Sequence, residues 1–224
     1  MSQPELEKQM TETVVLVPGI GLGGLDLYVL ARLLRKHGYI VKTFWRNPWR
    51  RDLAGTAQLL SEMLAIQETE KPHLVAYSLG GLVVQQMLRD NLQQKVGRIV
   101  LLGVPLSGCL AARRVMKVPG GRWFIGKALA SVATKTDSHF PVGLEIGSIA
   151  GSFNFLLGLI LCPRKQNDTL VCVEETKHPD VSAHCVLFVS HTSLVLSEEV
   201  SKNADCFIRT GAFLVNSEKA VEKL

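Results

Sequence analysis

The sequence predicts an α/β protein built on a mostly parallel central sheet with helices on both faces. Apolar, β-branched runs alternate along the chain with segments whose apolar residues recur at helical spacing. These runs are continuous rather than alternating in polarity, which is typical of strands covered on both faces. The composition, 47% hydrophobic and 20% charged in 224 residues, is that of a folded globular chain and excludes a disordered one.

Thr13–Val17 is predicted to be the first strand, because its β-branched run is stopped by Pro18-Gly19. A helix follows, since leucines recur at helical spacing before Gly38, a residue suited to a helix C-cap. By the same reasoning, further strands are predicted at 39–44, 73–77, 98–102, 144–150 and 183–189, and further helices at 53–66, 79–91 and 194–208. Ligands of such sheets bind at the carboxyl ends of the strands.

The length favours a single domain over residues 1–224, since no linker, repeat or low-complexity segment divides the chain. The acidic N-terminus lacks the basic region and apolar run of a secretory signal, so we expect a cytoplasmic protein. The apolar stretch 146–162 is too short for a spanning helix. We expect a buried strand followed by an apolar loop or short helix there, and no transmembrane segment.

The five cysteines form no C-x-x-C pair, the spacing typical of zinc and redox sites. We interpret them as reduced core thiols, because free cysteine is among the most buried residue types. They are Cys109, Cys162, Cys172, Cys185 and Cys206. No metal site and no cofactor are expected.

Ser78 stands directly between a predicted strand and a predicted helix, which is the arrangement of a nucleophile elbow. The residues two before and two after such a serine must be small, because larger side chains collide with the neighbouring backbone. Here they are Ala76 and Gly80. The bare pattern is a weak signal, and its position between strand and helix strengthens it. The elbow lifts the serine hydroxyl above the sheet edge, where the Leu79 N–H can face an oxyanion.

A serine nucleophile needs a base, and the base needs an orienting carboxylate. His191 follows the last predicted strand and precedes the closing helix, so it belongs at the ligand edge of the sheet. His184 falls at the start of that strand and is interpreted as structural. Asp168 precedes an apolar run upstream of His191, whereas Asp180 lies in a polar loop beside Pro179 and is interpreted as a turn residue.

These motifs resemble the α/β-hydrolase superfamily, and within it the small esterases and lipases of bacterial type. The similarity covers nearly the whole chain: Val-Pro-Gly with a Gly-rich continuation at 17–24, the elbow at 74–81, Leu-Gly-Val-Pro at 102–105, Asn-Asp at 167–168 and Ser-His at 190–191. The resemblance implies Ser78 as nucleophile, His191 as general base and acid, and Asp168 as orienting carboxylate. It also implies an oxyanion hole formed by the backbone N–H groups of Ile20 and Leu79.

The function implied is hydrolysis of a carboxylic ester, small or lipid-like, through an acyl-enzyme intermediate on a catalytic triad. Three positions depart from the pattern of the family. Pro18-Gly19 stands in place of His-Gly, Ala76 replaces the first elbow glycine, and Thr169 replaces the glycine after Asn-Asp. Alanine still meets the steric demand of the elbow, whereas Pro18 and Thr169 alter the mouth of the site.

Two segments are expected to select the substrate. Residues 106–140 are predicted to form a short helical insertion, a lid or cap, whose six basic residues and one acidic residue equal the +5 net charge of the whole chain. This charge attracts an anionic substrate group or a membrane surface, or else it marks a solvated helix face. The aromatic residues Phe44, Trp45 and Trp49 follow the second strand and are predicted to wall an acyl pocket.

Other function classes compete with the hydrolase. Residues 19–24 also fit the G-x-G-x-x-G fingerprint of an NADP-binding oxidoreductase, but the second strand ends without an acidic residue to hold a ribose. Arg46 could meet a 2′-phosphate there. The aromatic and basic residues at 44–51 are weak evidence for single-stranded nucleic acid, so no nucleic-acid partner is expected. A hydrolase fold that binds a partner without catalysis is the remaining alternative.

Overall fold

The computed structural model describes residues 12–19, 23–45, 52–66, 71–91, 95–118, 139–163 and 165–214. Its strands are β1 (Thr13–Val17), β2 (Ile40–Thr43), β3 (His73–Tyr77), β4 (Ile99–Leu102), β5 (Ile146–Gly151) and β6 (Ala183–Leu187). The α-helices are α1 (Tyr28–Lys36), α2 (Leu53–Ala65), α3 (Leu79–Asp90), α4 (Leu110–Met116), α5 (Leu156–Leu161) and α6 (Glu198–Thr210). Short 3-10 helices lie at Leu25–Leu27, Val173–Thr176 and Thr192–Val195.

The strands form one parallel sheet in the order β2-β1-β3-β4-β5-β6. β1 and β4 are buried at every residue, as their continuous apolar runs predict, whereas Ile40 on the edge strand β2 is exposed. The chain moves outward from β1 to β2 and then returns to place β3 on the other side of β1. This reversal opens a crevice at the carboxyl ends of β1 and β3, where ligands of open parallel sheets bind.

Helices cover both faces of the sheet, as predicted from the sequence. On one face α2 and α3 bury Leu60 and Val83 against the strands. On the other face α1 and α6 bury Leu30 and Phe207. Because the helices shield the sheet from water on both sides, the carboxyl edge is where a substrate can reach it.

Three regions of the structure refine the predictions. Of the predicted insertion 106–140, the helix α4 is described, and residues 119–138 lie outside the described residues. The apolar stretch 146–162 forms β5 and the short helix α5, and none of the helices described here is long and apolar enough to cross a membrane. The closing helix begins only at Glu198, because the Ser197 side chain accepts a hydrogen bond from the Val200 N–H and caps it.

The cysteines are free thiols in the structure. Four of them are buried, as the sequence analysis expects, and Cys206 on α6 is partly exposed. Burial raises the pKa of the Cys109 thiol to about 12 and likewise that of Cys185. These buried thiols are therefore neutral near physiological pH.

Candidate active site

Ser78 occupies a sharp turn between β3 and α3. Its backbone has φ 52° and ψ −125°, a conformation that residues other than glycine rarely adopt. The Ser78 N–H donates to the Leu102 carbonyl at 2.8 Å, which fixes the turn against β4. Strain of this kind costs on the order of 1–3 kcal/mol and persists only where the surrounding structure holds it.

The small residues around Ser78 are required by contact with β1. A Cβ atom added to Gly80 would lie 2.4 Å from the Val17 carbonyl oxygen and 2.7 Å from that of Pro18. Ala76 on the strand side is completely buried. The sequence requirement for a small residue two positions after the serine therefore has a direct steric cause in this structure.

His191 lies just beyond the carboxyl end of β6 with its imidazole beside Ser78. Its Nε2 atom is 3.0 Å from Ser78 Oγ. The backbone holds the residue in place, because the His191 N–H donates to the Asp168 carbonyl at 2.8 Å and the Tyr77 hydroxyl donates to the His191 carbonyl at 3.2 Å. The Tyr77 ring also packs against the imidazole, with 5.1 Å between ring centroids.

Asp168 completes a chain of hydrogen bonds that ends at Ser78. Its Oδ2 atom is 2.7 Å from His191 Nδ1, and its Oδ1 atom accepts the backbone N–H groups of Leu170 at 3.0 Å and Val171 at 2.8 Å. Since a carboxylate only accepts hydrogen bonds, the Nδ1 atom of neutral His191 carries the proton. The Nε2 lone pair then faces the Ser78 hydroxyl, which is the orientation a general base needs.

The turn after Asp168 is held by side chains on both sides. Thr169 has φ +102°, at the position where the resembled family has glycine. Its N–H donates to Asn167 Oδ1 at 2.9 Å, and its Oγ1 accepts the Phe155 N–H at 3.1 Å. A β-branched residue at this φ is strained, and the two hydrogen bonds offset part of that strain.

The predicted oxyanion donors are described only in part. Leu79 is the first residue of α3, so its N–H has no acceptor within the helix. Ile20 lies outside the described residues. The preceding residue, Gly19, runs close beside the nucleophile, since a Cβ atom added to it would lie 3.0 Å from Ser78 Cβ.

A cavity of about 120 Å³ opens beside Ser78 and His191. Its walls are almost wholly apolar. The described residues that form them come from the start of α3, from the segments after β4 and β5 and from the Asp168 turn: Leu79, Pro105, Cys109, Ala111, Ala112, Val115, Leu161, Leu170 and Val171. Helices α4 and α5 supply four of these nine residues.

Of the aromatic residues predicted to wall this pocket, Phe44 and Trp45 lie elsewhere, and the prediction is corrected for these two. Phe44 is buried in the core under α2, and Trp45 is 62% exposed; neither is among the described residues that line the cavity. Trp49 lies outside the described residues. The physical reason is the strand order, because β1 lies between β2 and β3. Since neighbouring strands are about 4.8 Å apart, the end of β2 is two strand spacings away from the end of β3, where Ser78 lies.

Comparison with known proteins gives matches at the level of structure. No protein-family model matches the chain, and no curated protein matches it significantly. The mature lipase BlEst2 of Bacillus licheniformis superimposes with a TM-score of 0.73 at 19% identity, over 89% of this chain and 91% of that chain. A metagenomic carboxyl esterase, MGS0156, gives 0.69 at 16% identity over 89% and 74%. Carboxylesterase CesB (YbfK) of Bacillus subtilis gives 0.56 at 12% identity over 90% and 84%.

The chain has the α/β-hydrolase fold. The resemblance to bacterial esterases and lipases drawn from the sequence motifs is confirmed as a likeness of fold. In this α/β-hydrolase fold, the order of β1, β2 and β3 places Ser78 in the crevice at the carboxyl edge of the sheet.

Sequence reasoning missed two contributors to the site of this α/β-hydrolase fold. Tyr77 directly precedes Ser78, and this position beside the serine motif is the signal that could have identified it. Its hydrogen bond to the His191 carbonyl can be seen only in the folded chain. Glu175 is buried, and its carboxylate accepts the N–H groups of Leu110 at 2.6 Å and Cys172 at 2.8 Å. It ties α4 to the segment after Asp168. No motif marks it in the sequence.

His184 lies at the amino edge of the sheet, far from the serine. Its Nε2 is 2.8 Å from Thr176 Oγ1, and burial lowers the pKa of its imidazole. This position agrees with the structural interpretation given to it from the sequence.

Proposed function

We propose that the protein is a serine hydrolase that cleaves carboxylic esters through an acyl-enzyme on Ser78. The hydrogen-bond chain Asp168–His191–Ser78, with distances of 2.7 and 3.0 Å, carries the proposal. The likeness of fold to proteins named lipase and carboxylesterase supports it. A single domain and a cytoplasmic location stay predictions.

The proposed reaction starts when His191 Nε2 takes the proton of the Ser78 hydroxyl as its oxygen attacks the ester carbonyl. The negative charge on the carbonyl oxygen is stabilised by the N–H groups of Leu79 and Ile20. His191 then gives its proton to the departing alcohol, and water releases the acyl group by the same sequence of proton transfers. Loss of one oxyanion donor costs about 3–4 kcal/mol of transition-state stabilisation.

Asp168 has two proposed roles, and both depend on its complete burial. It keeps His191 in the tautomer whose Nε2 lone pair faces the serine. It also stabilises the imidazolium that forms during the reaction. Because its Oδ1 atom accepts two backbone N–H groups, the carboxylate is oriented before substrate arrives.

The cavity favours a short acyl group. The cavity volume of about 120 Å³ is well below the roughly 300–1,000 Å³ of pockets that hold drug-sized ligands. We therefore propose esters of acids with about four carbon atoms as the preferred substrates.

The basic face of α4 is proposed to attract an anionic substrate group or an anionic membrane surface. Arg113, Arg114 and Lys117 are exposed there, and Arg114 Nη1 donates to the Ile160 carbonyl at 2.7 Å. Arg114 thus joins α4 to α5, which leaves Arg113 and Lys117 as the residues to test. Replacing both by Gln is expected to lower kcat/KM for anionic esters and leave neutral esters unchanged. Equal kinetics for both ester classes would contradict this role.

The deciding experiment is labelling with a fluorophosphonate probe, which reports an activated serine without requiring the natural substrate. Mass spectrometry is expected to locate the adduct on Ser78, and the adduct should be absent from Ser78→Ala and His191→Ala. Ser61→Ala is the matched control, because Ser61 lies on α2, where its Oγ accepts a hydrogen bond from the Asn91 side-chain amide at 3.0 Å. It should label like the unmodified chain.

Absence of labelling in the folded protein would favour the hydrolase fold without catalysis. If Ser78 is labelled, protein that has not been treated with the probe would next be assayed on p-nitrophenyl acetate, butyrate, octanoate and palmitate. The proposed acyl preference predicts the highest kcat/KM for butyrate. Calorimetric titration with NADPH would separately test the oxidoreductase alternative.

A further inference from the structure

A second group of ionisable side chains lies at the opposite edge of the sheet from Ser78. His139 precedes β5, and His178 and Asp180 lie in the loop before β6. Since these parallel strands begin at the amino edge, the group is separated from the hydrolytic site by the length of the sheet.

The potential ligand atoms of this group converge on one small volume. One atom from each residue lies within 4.8 Å of the others. His139 Nδ1 is 3.2 Å from Asp180 Oδ1 and 3.0 Å from Oδ2, and His178 Nδ1 is 3.4 Å from Oδ2. In tetrahedral zinc sites, bonds of about 2.0–2.1 Å place neighbouring ligand atoms about 3.3–3.4 Å apart. The two His–Asp separations are therefore close to the edge length of such a tetrahedron.

The hydrogen bonds leave acceptor atoms facing one another. The Asp180 N–H donates to His178 Nδ1 at 3.3 Å, so that nitrogen carries a lone pair rather than a proton. The same nitrogen faces the Asp180 carboxylate, whose Oδ2 already accepts the Phe140 N–H at 2.8 Å. Two acceptors 3.4 Å apart repel each other unless a proton or a cation lies between them.

An ion can reach the group from solvent on the side of His139. The side chain of His139 is 65% exposed and leaves a path for an ion to enter.

We propose that His139, His178 and Asp180 bind a divalent transition metal, zinc by preference, with water in the fourth position. Two imidazoles and one carboxylate form a donor set suited to zinc, while calcium and magnesium prefer oxygen ligands. The ion would join the end of the segment 106–140 to the loop before β6. Under this proposal Asp180 is a metal ligand in addition to the turn residue predicted from the sequence. The proposal departs from the expectation that the protein has no metal site.

The test is calorimetric titration of the full chain, stripped with EDTA and dialysed, with zinc chloride at pH 7.5. The expected result is one zinc per chain, with the affinity lowered about 100-fold or more in His178→Ala and in His139→Gln. Zinc at 100 times its dissociation constant should raise the Tm by about 5 °C or more. His139→Gln keeps the test decisive if His178→Ala fails to fold, because His139 is largely exposed.

Controls separate this site from the other groups that can hold zinc. His37→Ala, which removes the histidine of another His–Asp pair, and His191→Ala should retain the affinity. X-ray absorption should show nitrogen and oxygen neighbours at about 2.0–2.1 Å and no sulfur near 2.3 Å. The proposal is overturned by absence of zinc binding, by unchanged affinity in His139→Gln, by lost affinity in His191→Ala, or by sulfur neighbours.

Discussion

Replacing Asp168 by Asn tests the proposed triad most directly, because the two side chains have the same shape. In Asp168→Asn the amide oxygen can still accept the N–H groups of Leu170 and Val171, so the turn is retained. The amide NH2 then takes the place of Oδ2, 2.7 Å from His191 Nδ1. It donates to Nδ1, which forces the proton of the imidazole onto Nε2. That nitrogen no longer accepts the proton of Ser78.

The expected loss is large because the wrong tautomer removes the base and leaves the imidazolium without its partner charge. A substitution of this kind lowers kcat by about 10⁴-fold in the well-studied serine protease triad. At 1.36 kcal/mol for each factor of ten, this corresponds to about 5 kcal/mol. The stability cost is smaller, about 1.5–3 kcal/mol for one hydrogen bond to a charged group.

The assay is hydrolysis of p-nitrophenyl butyrate at pH 7.5, with the free energy of unfolding measured in parallel by urea denaturation. Asp205→Asn is the matched control, since Asp205 pairs with Arg209 and Tyr39 on the far side of the sheet. Its kcat should stay within about twofold of the unmodified chain. A folded Asp168→Asn protein whose kcat falls less than tenfold would refute the assignment of Asp168.

Substitutions at three further positions have expected outcomes. Gly80→Ala places a methyl group 2.4 Å from the Val17 carbonyl oxygen, so we expect a loss of more than about 3 kcal/mol in urea denaturation; a smaller loss would contradict the steric requirement at the elbow. Thr169→Gly and Thr169→Val both lose the bond to the Phe155 N–H, but only glycine relieves φ +102°, so glycine should be more stable by about 1 kcal/mol. Val115→Ala enlarges the cavity and should raise the ratio of kcat/KM for octanoate over butyrate severalfold, whereas an unchanged ratio would exclude Val115 from the acyl wall.

The framework of the fold was predictable because it depends on local sequence. The residues of β1 and β3 form continuous apolar runs, and the structure places both strands at the predicted bounds. Ser78 and His191 were predictable for a related reason. Ser78 directly follows β3, and His191 follows β6 after a short loop. Parallel strands end at one edge of the sheet, so both residues belong at that edge.

The acyl wall was not predictable because it depends on strand order. Phe44 and Trp45 do follow a strand at the correct edge, but nothing local in the sequence says that β1 separates that strand from β3. The same limit applies to His139 and Asp180. They are 41 positions apart, and they meet only because β5 and β6 are neighbours in the sheet.

The turn that carries Asp168 links this proposed orienting carboxylate to the cavity wall. Its N–H groups point inward to the carboxylate, while the Leu170 carbonyl accepts a hydrogen bond from Cys109 Sγ at 3.6 Å. Glu175 ties α4 to the residues after the turn, and Thr169 ties the turn to the start of α5.

The helices that bound the acyl cavity are thus attached to the segment that orients His191 through Asp168. Glu175→Gln keeps the shape, but its amide has one accepting oxygen for the two N–H donors, so one of the two bonds is lost and the amide NH2 faces a backbone N–H, at a cost of about 1–3 kcal/mol. If α4 and the turn move as one unit, this substitution lowers kcat and alters the acyl preference together. A change in acyl preference with kcat intact would show instead that α4 moves independently of the triad.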